Sequence, residues 1–113
     1  MVVHIVEDDA AVADALATVL EGLDHLPMTY PDGETFLEMA DISGDDWVIV
    51  DLGLPGISGS DVVHMLNGLE DPPSLIVISG RSRMKLKQHL RDLPNLPVLR
   101  KPLSVDMITA AMA

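Results

Sequence analysis

The sequence predicts an α/β fold in which a parallel sheet is covered by helices on both faces. Three short runs at residues 2–6, 47–50 and 75–78 are apolar nearly throughout rather than alternating, which is typical of strands buried on both sides. Segments with helical spacing of apolar residues separate these runs, and this alternation favours parallel pairing. At 113 residues, the chain has the length of a single domain.

Strand and helix signals alternate five times along the chain. In the first helical segment, Val12, Leu16 and Leu20 recur at helical spacing and Gly22 is a predicted stop. The strand candidate at 26–30 is weak because Pro27 interrupts it. The predicted strands are 2–6, 26–30, 47–50, 75–78 and 97–99, and the predicted helices are 10–22, 34–40, 60–69, 83–93 and a last one capped by Ser104.

Composition excludes several classes of function. The chain has no cysteine, which excludes disulfides, thiol catalysis and cysteine-ligated metals. Its net charge of −11 argues against direct binding to nucleic acid or to an anionic membrane. No apolar run approaches the roughly 20 residues needed to span a bilayer, so a cytoplasmic location is expected. All the basic residues lie between Arg81 and Lys101.

Polar residues follow the predicted strands at their carboxyl ends. In a parallel sheet these ends share one edge, where open α/β sheets bind their ligands. Clustered carboxylates repel one another unless a cation joins them, and oxygen ligands suit Mg²⁺. Asp51 ends a buried strand before a Gly/Pro loop and is the best candidate for a nucleophile that accepts a phosphoryl group. The residues expected at this edge are Glu7, Asp8, Asp9, Asp51, Ser79, Arg100 and Lys101.

Four segments of the chain resemble the receiver domain of two-component response regulators. They are VHIVEDD at 3–9, VIVDLGLPGISG at 48–59, IVISG at 76–80 and LRKP at 99–102. Each motif is weak alone, but their order and spacing match the family over nearly the whole chain. The resemblance implies a flavodoxin-like fold, with five parallel strands in the order 2-1-3-4-5.

The resemblance also implies roles for individual residues. Asp51 is similar to the phosphoacceptor, Ser79 stands where the family bonds a phosphoryl oxygen, and Lys101 stands where a lysine pairs with the phosphate. The Lys101–Pro102 bond resembles the family's cis peptide, an isomer that proline permits.

A magnesium site is implied by the same motifs. Asp8 resembles the direct ligand and Glu7 the acid that binds through water, with Asp51 and the Gly53 carbonyl completing the protein ligands. The register favours this pair over Asp8 with Asp9, because Val12 then turns inward and Asp9 is left to cap the first helix.

The function implied is that of a regulatory domain rather than a conventional enzyme. It would accept a phosphoryl group from a histidine kinase or phosphotransfer protein and then change its interaction surface; a phosphorylation-dependent homodimer is compatible with this role. A degenerate receiver acting as a binding scaffold is the alternative. An aspartyl-phosphate hydrolase is disfavoured because Gly53 stands where that class needs a second acid. The single domain, 1–113, is either a natural receiver or a fragment of a longer regulator or hybrid kinase.

Some positions depart from the family pattern. Val98 occupies the place of a frequent aromatic switch residue, so switching by an aromatic rotamer is not available there. We expect phosphorylation instead to reorder residues 80–87 through Arg81 or Arg83. The histidines are expected to be structural or exposed, with His4 in the core or on a face of the sheet, and the methionines are expected to fill the core.

Overall fold

The computed structural model describes residues 1–80 and 97–112, and within these ranges five strands form one parallel sheet in the order β2-β1-β3-β4-β5. The predicted fold class and strand order are therefore confirmed. The strands are β1 (Val2–Val6), β2 (Leu26–Tyr30), β3 (Trp47–Asp51), β4 (Ser74–Ser79) and β5 (Val98–Arg100), and the helices are α1 (Ala10–Gly22), α2 (Gly33–Met39), α3 (Gly59–Asn67) and α4 (Val105–Met112).

The predicted boundaries agree with the observed ones to within a residue or two. The weak strand candidate is the edge strand β2, which tolerates Pro27 because an edge strand leaves one side of its backbone unpaired. The helix predicted at 83–93, and the rearrangement expected of Arg81 or Arg83, lie outside the described residues. None of the described helices is both long enough and apolar enough to cross a bilayer.

Two apolar cores lie on opposite faces of the sheet. Alternate residues of a strand face opposite sides, so Ile5 packs with α1 and α4 on one face while Val6 packs with α2 and α3 on the other. Trp47, the first residue of β3, lies partly buried at the edge of the α1/α4 core. This two-sided burial explains why the central strands are apolar throughout.

Side-chain caps fix where the helices begin. The Asp9 carboxylate accepts from the backbone N–H groups of Ala11 and Val12 at 2.9 and 3.3 Å, and the caps of α2 and α3 are Asp32 and Ser58. The Ser104 hydroxyl accepts from the Met107 N–H, as the sequence predicted for the last helix. The first helix ends at Gly22 as predicted.

The methionine prediction is wrong for part of the chain. Met1, Met28, Met39 and Met65 are between 45% and 69% exposed, so they do not fill the core. The reason lies in their positions: Met28 is on the edge strand, and Met39 ends a short helix.

His4 lies in the core and is fully bonded through both ring nitrogens. Its Nδ1 lies 3.0 Å from the Tyr30 hydroxyl, and its Nε2 lies 3.0 Å from Asp46 Oδ2. Phe36 packs edge-on against both rings. Burial opposes ionisation of Asp46, but the hydrogen bonds from His4 and the Ser43 N–H outweigh it, so the pKa of Asp46 is lowered. This network ties the loop before β3 to the centre of the sheet.

Asp46→Asn should lower the free energy of unfolding by about 1–3 kcal/mol, since it leaves buried donors poorly paired. The neighbouring Asp45→Asn is the matched control, because Asp45 is exposed and should tolerate the change. Both are measured by urea denaturation.

The contribution of Asp46 to stability should also depend on pH, which a comparison of wild type with Asp46→Asn can show. A lowered folded pKa means that the Asp46 carboxylate stabilises the fold above the ordinary value of 3.8, and this contribution is lost as the pH falls through the lower folded value. The stability difference between wild type and Asp46→Asn should therefore shrink in acid. A difference that stays constant from pH 7 to pH 3 would contradict this account.

Candidate functional site

The three acidic residues that follow β1 have two different roles. Glu7 is 2% exposed, and its backbone N–H donates to the Tyr30 carbonyl at 3.0 Å, which holds it at the end of the sheet. Asp9 caps α1 and donates its own N–H to Glu7 Oε1 at 3.1 Å. Asp8, between them, is exposed. Asp9 thus caps α1 as predicted, and Glu7 and Asp8 are the acids whose oxygens lie near Asp51.

Asp51 ends β3 and is 4% exposed. One of its carboxylate oxygens, Oδ1, accepts from the Gly53 N–H at 2.9 Å. The following residue stays bound to the sheet, because the Leu52 N–H donates to the Ile78 carbonyl at 3.0 Å. The carboxylate is therefore held by its own backbone at the carboxyl edge.

Lys101 joins the two buried carboxylates. Its Nζ lies 2.9 Å from Glu7 Oε2, 3.0 Å from Glu7 Oε1 and 3.1 Å from Asp51 Oδ2. Its backbone N–H donates to the Ser79 carbonyl at 2.9 Å, and its peptide bond to Pro102 is cis. The structure therefore brings residues 94 positions apart in sequence into direct contact.

Ser79 ends β4 beside these groups and is fully buried. In the sheet register it is paired with Arg100, the residue before Lys101. Of the residues predicted at this edge, Glu7, Asp8, Asp51 and Lys101 are brought together in contact or near contact, and Ser79 is bonded to Lys101 through its backbone.

The electrostatics of the cleft favour added positive charge. Burial raises the pKa of Glu7 to about 7, the nearby Asp51 charge adds to the rise, and the hydrogen bond from Lys101 opposes it. Burial lowers the pKa of Lys101, but its bonds to Glu7 and Asp51 outweigh this, so its pKa is raised overall. An ammonium group alone leaves the buried acids incompletely compensated.

The donor set fits Mg²⁺. Glu7, Asp8 and Asp51 each offer an oxygen, and these oxygens all lie within 4.8 Å of one another. Glu7 Oε2 is buried and, within residues 1–80 and 97–112, has an ion-pair contact but no partner with hydrogen-bond geometry. Carboxylate oxygens are the ligands that Mg²⁺ uses in proteins, with water completing its octahedral shell.

Sequence reasoning missed two acidic residues with specific contacts, of which Glu34 contacts this region and Asp46 lies at the opposite end of β3. Asp46 supports the core through His4, and Glu34, in the first turn of α2, accepts from the Ile57 N–H in the loop after Asp51. Neither position carries a motif; each is one acid among many in an acidic chain, and only the folded contacts distinguish it.

The chain belongs to the response regulator receiver domain family, whose sequence model matches residues 3–113. Receiver domains are signalling domains of two-component systems rather than classical enzymes. Among solved structures, the chain is similar to a CheY-like receiver domain from Methylobacillus flagellatus, with a TM-score of 0.84 and 27% identity, covering 99% of this chain and 95% of that one.

Curated relatives are longer than this chain. The transcriptional regulatory protein FixJ of Bradyrhizobium diazoefficiens is 23% identical over 96% of this chain and 53% of its own length. The sensory transduction protein RegX3 of Mycobacterium tuberculosis is 39% identical over 73% of this chain and 36% of its own length. The chain thus spans about half the length of FixJ and about a third of the length of RegX3.

A glycine at the start of α3 is needed for the site to keep its shape. A Cβ on Gly59 would lie 2.3 Å from the Asp51 carbonyl oxygen and 2.8 Å from the Leu52 Cα, both rigid backbone atoms. Gly59→Ala should therefore lower the free energy of unfolding by about 3 kcal/mol, since the helix or the strand end must move.

Gly22→Ala is the matched control for this prediction. A Cβ on Gly22 meets nothing within 4 Å, so this variant should be neutral or slightly stabilising. Denaturant titration compares the two, and equal stabilities would contradict the packing argument.

Proposed function

We propose that the chain accepts a phosphoryl group on Asp51 from a phosphohistidine of a histidine kinase or phosphotransfer protein, in a Mg²⁺-dependent reaction. The observation that carries this proposal is the position of Lys101 Nζ between the buried carboxylates of Glu7 and Asp51. A buried acid pair with a bridging cation is costly to fold around, and such clusters are typical of functional sites.

The transfer step is a displacement at phosphorus. An Asp51 carboxylate oxygen forms the new P–O bond while the P–N bond to the donor histidine breaks, and the electron pair leaves with the histidine nitrogen. Bound Mg²⁺ supplies charge neutralisation for the phosphoryl oxygens. Glu7, Asp8, Asp51 and the Gly53 backbone are the groups that would hold it.

Lys101 and the Gly53 N–H orient the Asp51 carboxylate before transfer. Once Asp51 carries the phosphoryl group as an acyl phosphate, the carboxylate charge is gone, and the Lys101 ammonium can pair with a phosphoryl oxygen instead. The Ser79 hydroxyl, at the end of the neighbouring strand, is proposed to donate to another phosphoryl oxygen. These new contacts would link the charge change at Asp51 to Ser79 at the end of β4 and to Lys101 after β5, which supports a role in switching.

Phosphoryl uptake tests this function directly. Wild-type protein incubated with acetyl phosphate and Mg²⁺ should gain one phosphoryl group, detected by intact mass, and Asp51→Asn should gain none. Asp61→Asn, an exposed acid in the first turn of α3, is the control and should behave as wild type. Absence of uptake by the wild type would favour the scaffold alternative, and rapid multiple turnover would favour a hydrolase.

A groove beside the site is the proposed contact for the protein donor. It has a volume of about 560 Å³ and is lined by α1 residues, including Ala15 and Val19, and by residues after β5, including Pro102 and Leu103. Lys101 also lines it, which joins the groove to the site. A phosphohistidine can reach Asp51 only if its carrier protein covers the surface around Lys101, and this groove is the adjoining apolar surface.

Ala15→Arg should therefore slow phosphotransfer from a protein donor at least about ten-fold by blocking the groove, while leaving uptake from acetyl phosphate unchanged. Thr18→Arg is the control, since Thr18 is exposed on the same helix outside the groove. Radiolabelled phosphotransfer from a phosphorylated kinase or phosphotransfer domain measures the effect. Equal rates for both variants would exclude this docking surface.

A further inference from the structure

The loop between β3 and α3 leads directly away from Asp51 and carries Gly53. Its first residues are bound to the sheet edge, and Gly59 at its far end packs against the Asp51 backbone. The middle of the loop approaches α2. There the Glu34 carboxylate accepts a hydrogen bond from the Ile57 N–H.

A glycine lies on each side of the contact between Glu34 and Ile57, one in the loop and one in α2. Gly56 has φ +69°, a conformation that favours glycine, and a Cβ there would lie 2.6 Å from Glu34 Oε1. On the α2 side, a Cβ on Gly33 would lie 3.0 Å from Val62 and 3.4 Å from the Ile57 carbonyl oxygen. Two glycines therefore allow the helix and the loop to approach closely enough for the carboxylate to reach the backbone.

Glu34 itself is fixed by the start of its helix. Asp32 caps α2 by accepting from the Thr35 N–H at 2.7 Å, so the first turn has a defined position. The Glu34 side chain thus joins α2 to the loop backbone at Ile57, while the Gly53 N–H at the other end of the loop is held by Asp51 Oδ1 of β3. The Glu34 contact therefore acts on the loop directly.

We propose that Glu34 is a positioning residue that holds the β3–α3 loop, and with it the Gly53 backbone, in the arrangement that binds Mg²⁺ and supports phosphorylation of Asp51. This inference rests on the proposed function and extends it to a residue that does not itself touch the reacting atoms. Backbone ligands cannot be tuned by their own side chains, so the groups that hold the backbone determine their position.

Two substitutions separate hydrogen-bonding reach from charge. Glu34→Gln keeps the length and an acceptor oxygen but loses the charge, whereas Glu34→Asp keeps the charge but is shorter by one methylene. The Mg²⁺ dissociation constant, measured by isothermal titration calorimetry with Mg²⁺ alone, should be near wild type in Glu34→Gln. It should rise about five- to ten-fold in Glu34→Asp and in Glu34→Ala.

Glu38→Ala is the matched control, because Glu38 is an exposed acid one turn further along the same helix. It should leave the dissociation constant unchanged. Amide hydrogen exchange without Mg²⁺ provides an independent readout, in which the Ile57 N–H should exchange faster in Glu34→Ala than in wild type or Glu34→Gln.

The outcomes distinguish the two proposals. Wild-type phosphoryl uptake, with the same Mg²⁺ affinity and uptake rate in Glu34→Ala, would overturn the positioning role and leave the proposed function intact. A Glu34→Asp variant that matches wild type while Glu34→Gln matches Glu34→Ala would show that charge acts instead of the hydrogen bond, which also overturns it. If wild type takes up no phosphoryl group, the proposed function fails, and the positioning role fails with it.

Discussion

The Lys101 ammonium makes it feasible for two buried carboxylates to lie side by side. Glu7 directly follows β1 and Asp51 ends the neighbouring strand β3, and without a cation between the two carboxylates both desolvation and mutual repulsion would oppose ionisation. Sheet topology supplies that cation from β5, two strands away from β3. The cleft therefore depends on the correct order of strands that are distant in sequence, so the site forms only when the whole sheet has formed.

The parallel arrangement of the strands explains which site residues could be predicted from the sequence. Strand-end residues such as Asp51 and Lys101 were predictable because parallel strands bring their carboxyl ends to one edge. Backbone hydrogen bonding fixes that placement, so a pattern of apolar runs followed by polar residues is enough to reveal it. The strand order itself came from the family resemblance and not from the runs.

The contacts that could not be predicted come from side chains that cross between elements. His4 was expected in the core or on a face of the sheet, but its bonds to Tyr30 and Asp46 join three segments through side-chain directions that periodicity does not specify. The exposure of Met28 and Met39 has the same origin, since hydropathy alone does not show which apolar residue lies at an edge. At the family's aromatic switch position, Val98 is partly buried against the α2/α3 core. The Tyr30 and Phe36 rings lie elsewhere and pack in one cluster with His4.

The position of Trp47 has a practical consequence for spectroscopy. The sequence has one tryptophan, and it begins the strand that Asp51 ends, so about 13 Å of extended backbone separates the Trp47 and Asp51 Cα atoms. The tryptophan fluorescence of this protein should accordingly change on unfolding but change little when a ligand binds in the cleft. A change in emission on adding a cation or a phosphodonor would then be a sign of long-range rearrangement rather than local quenching.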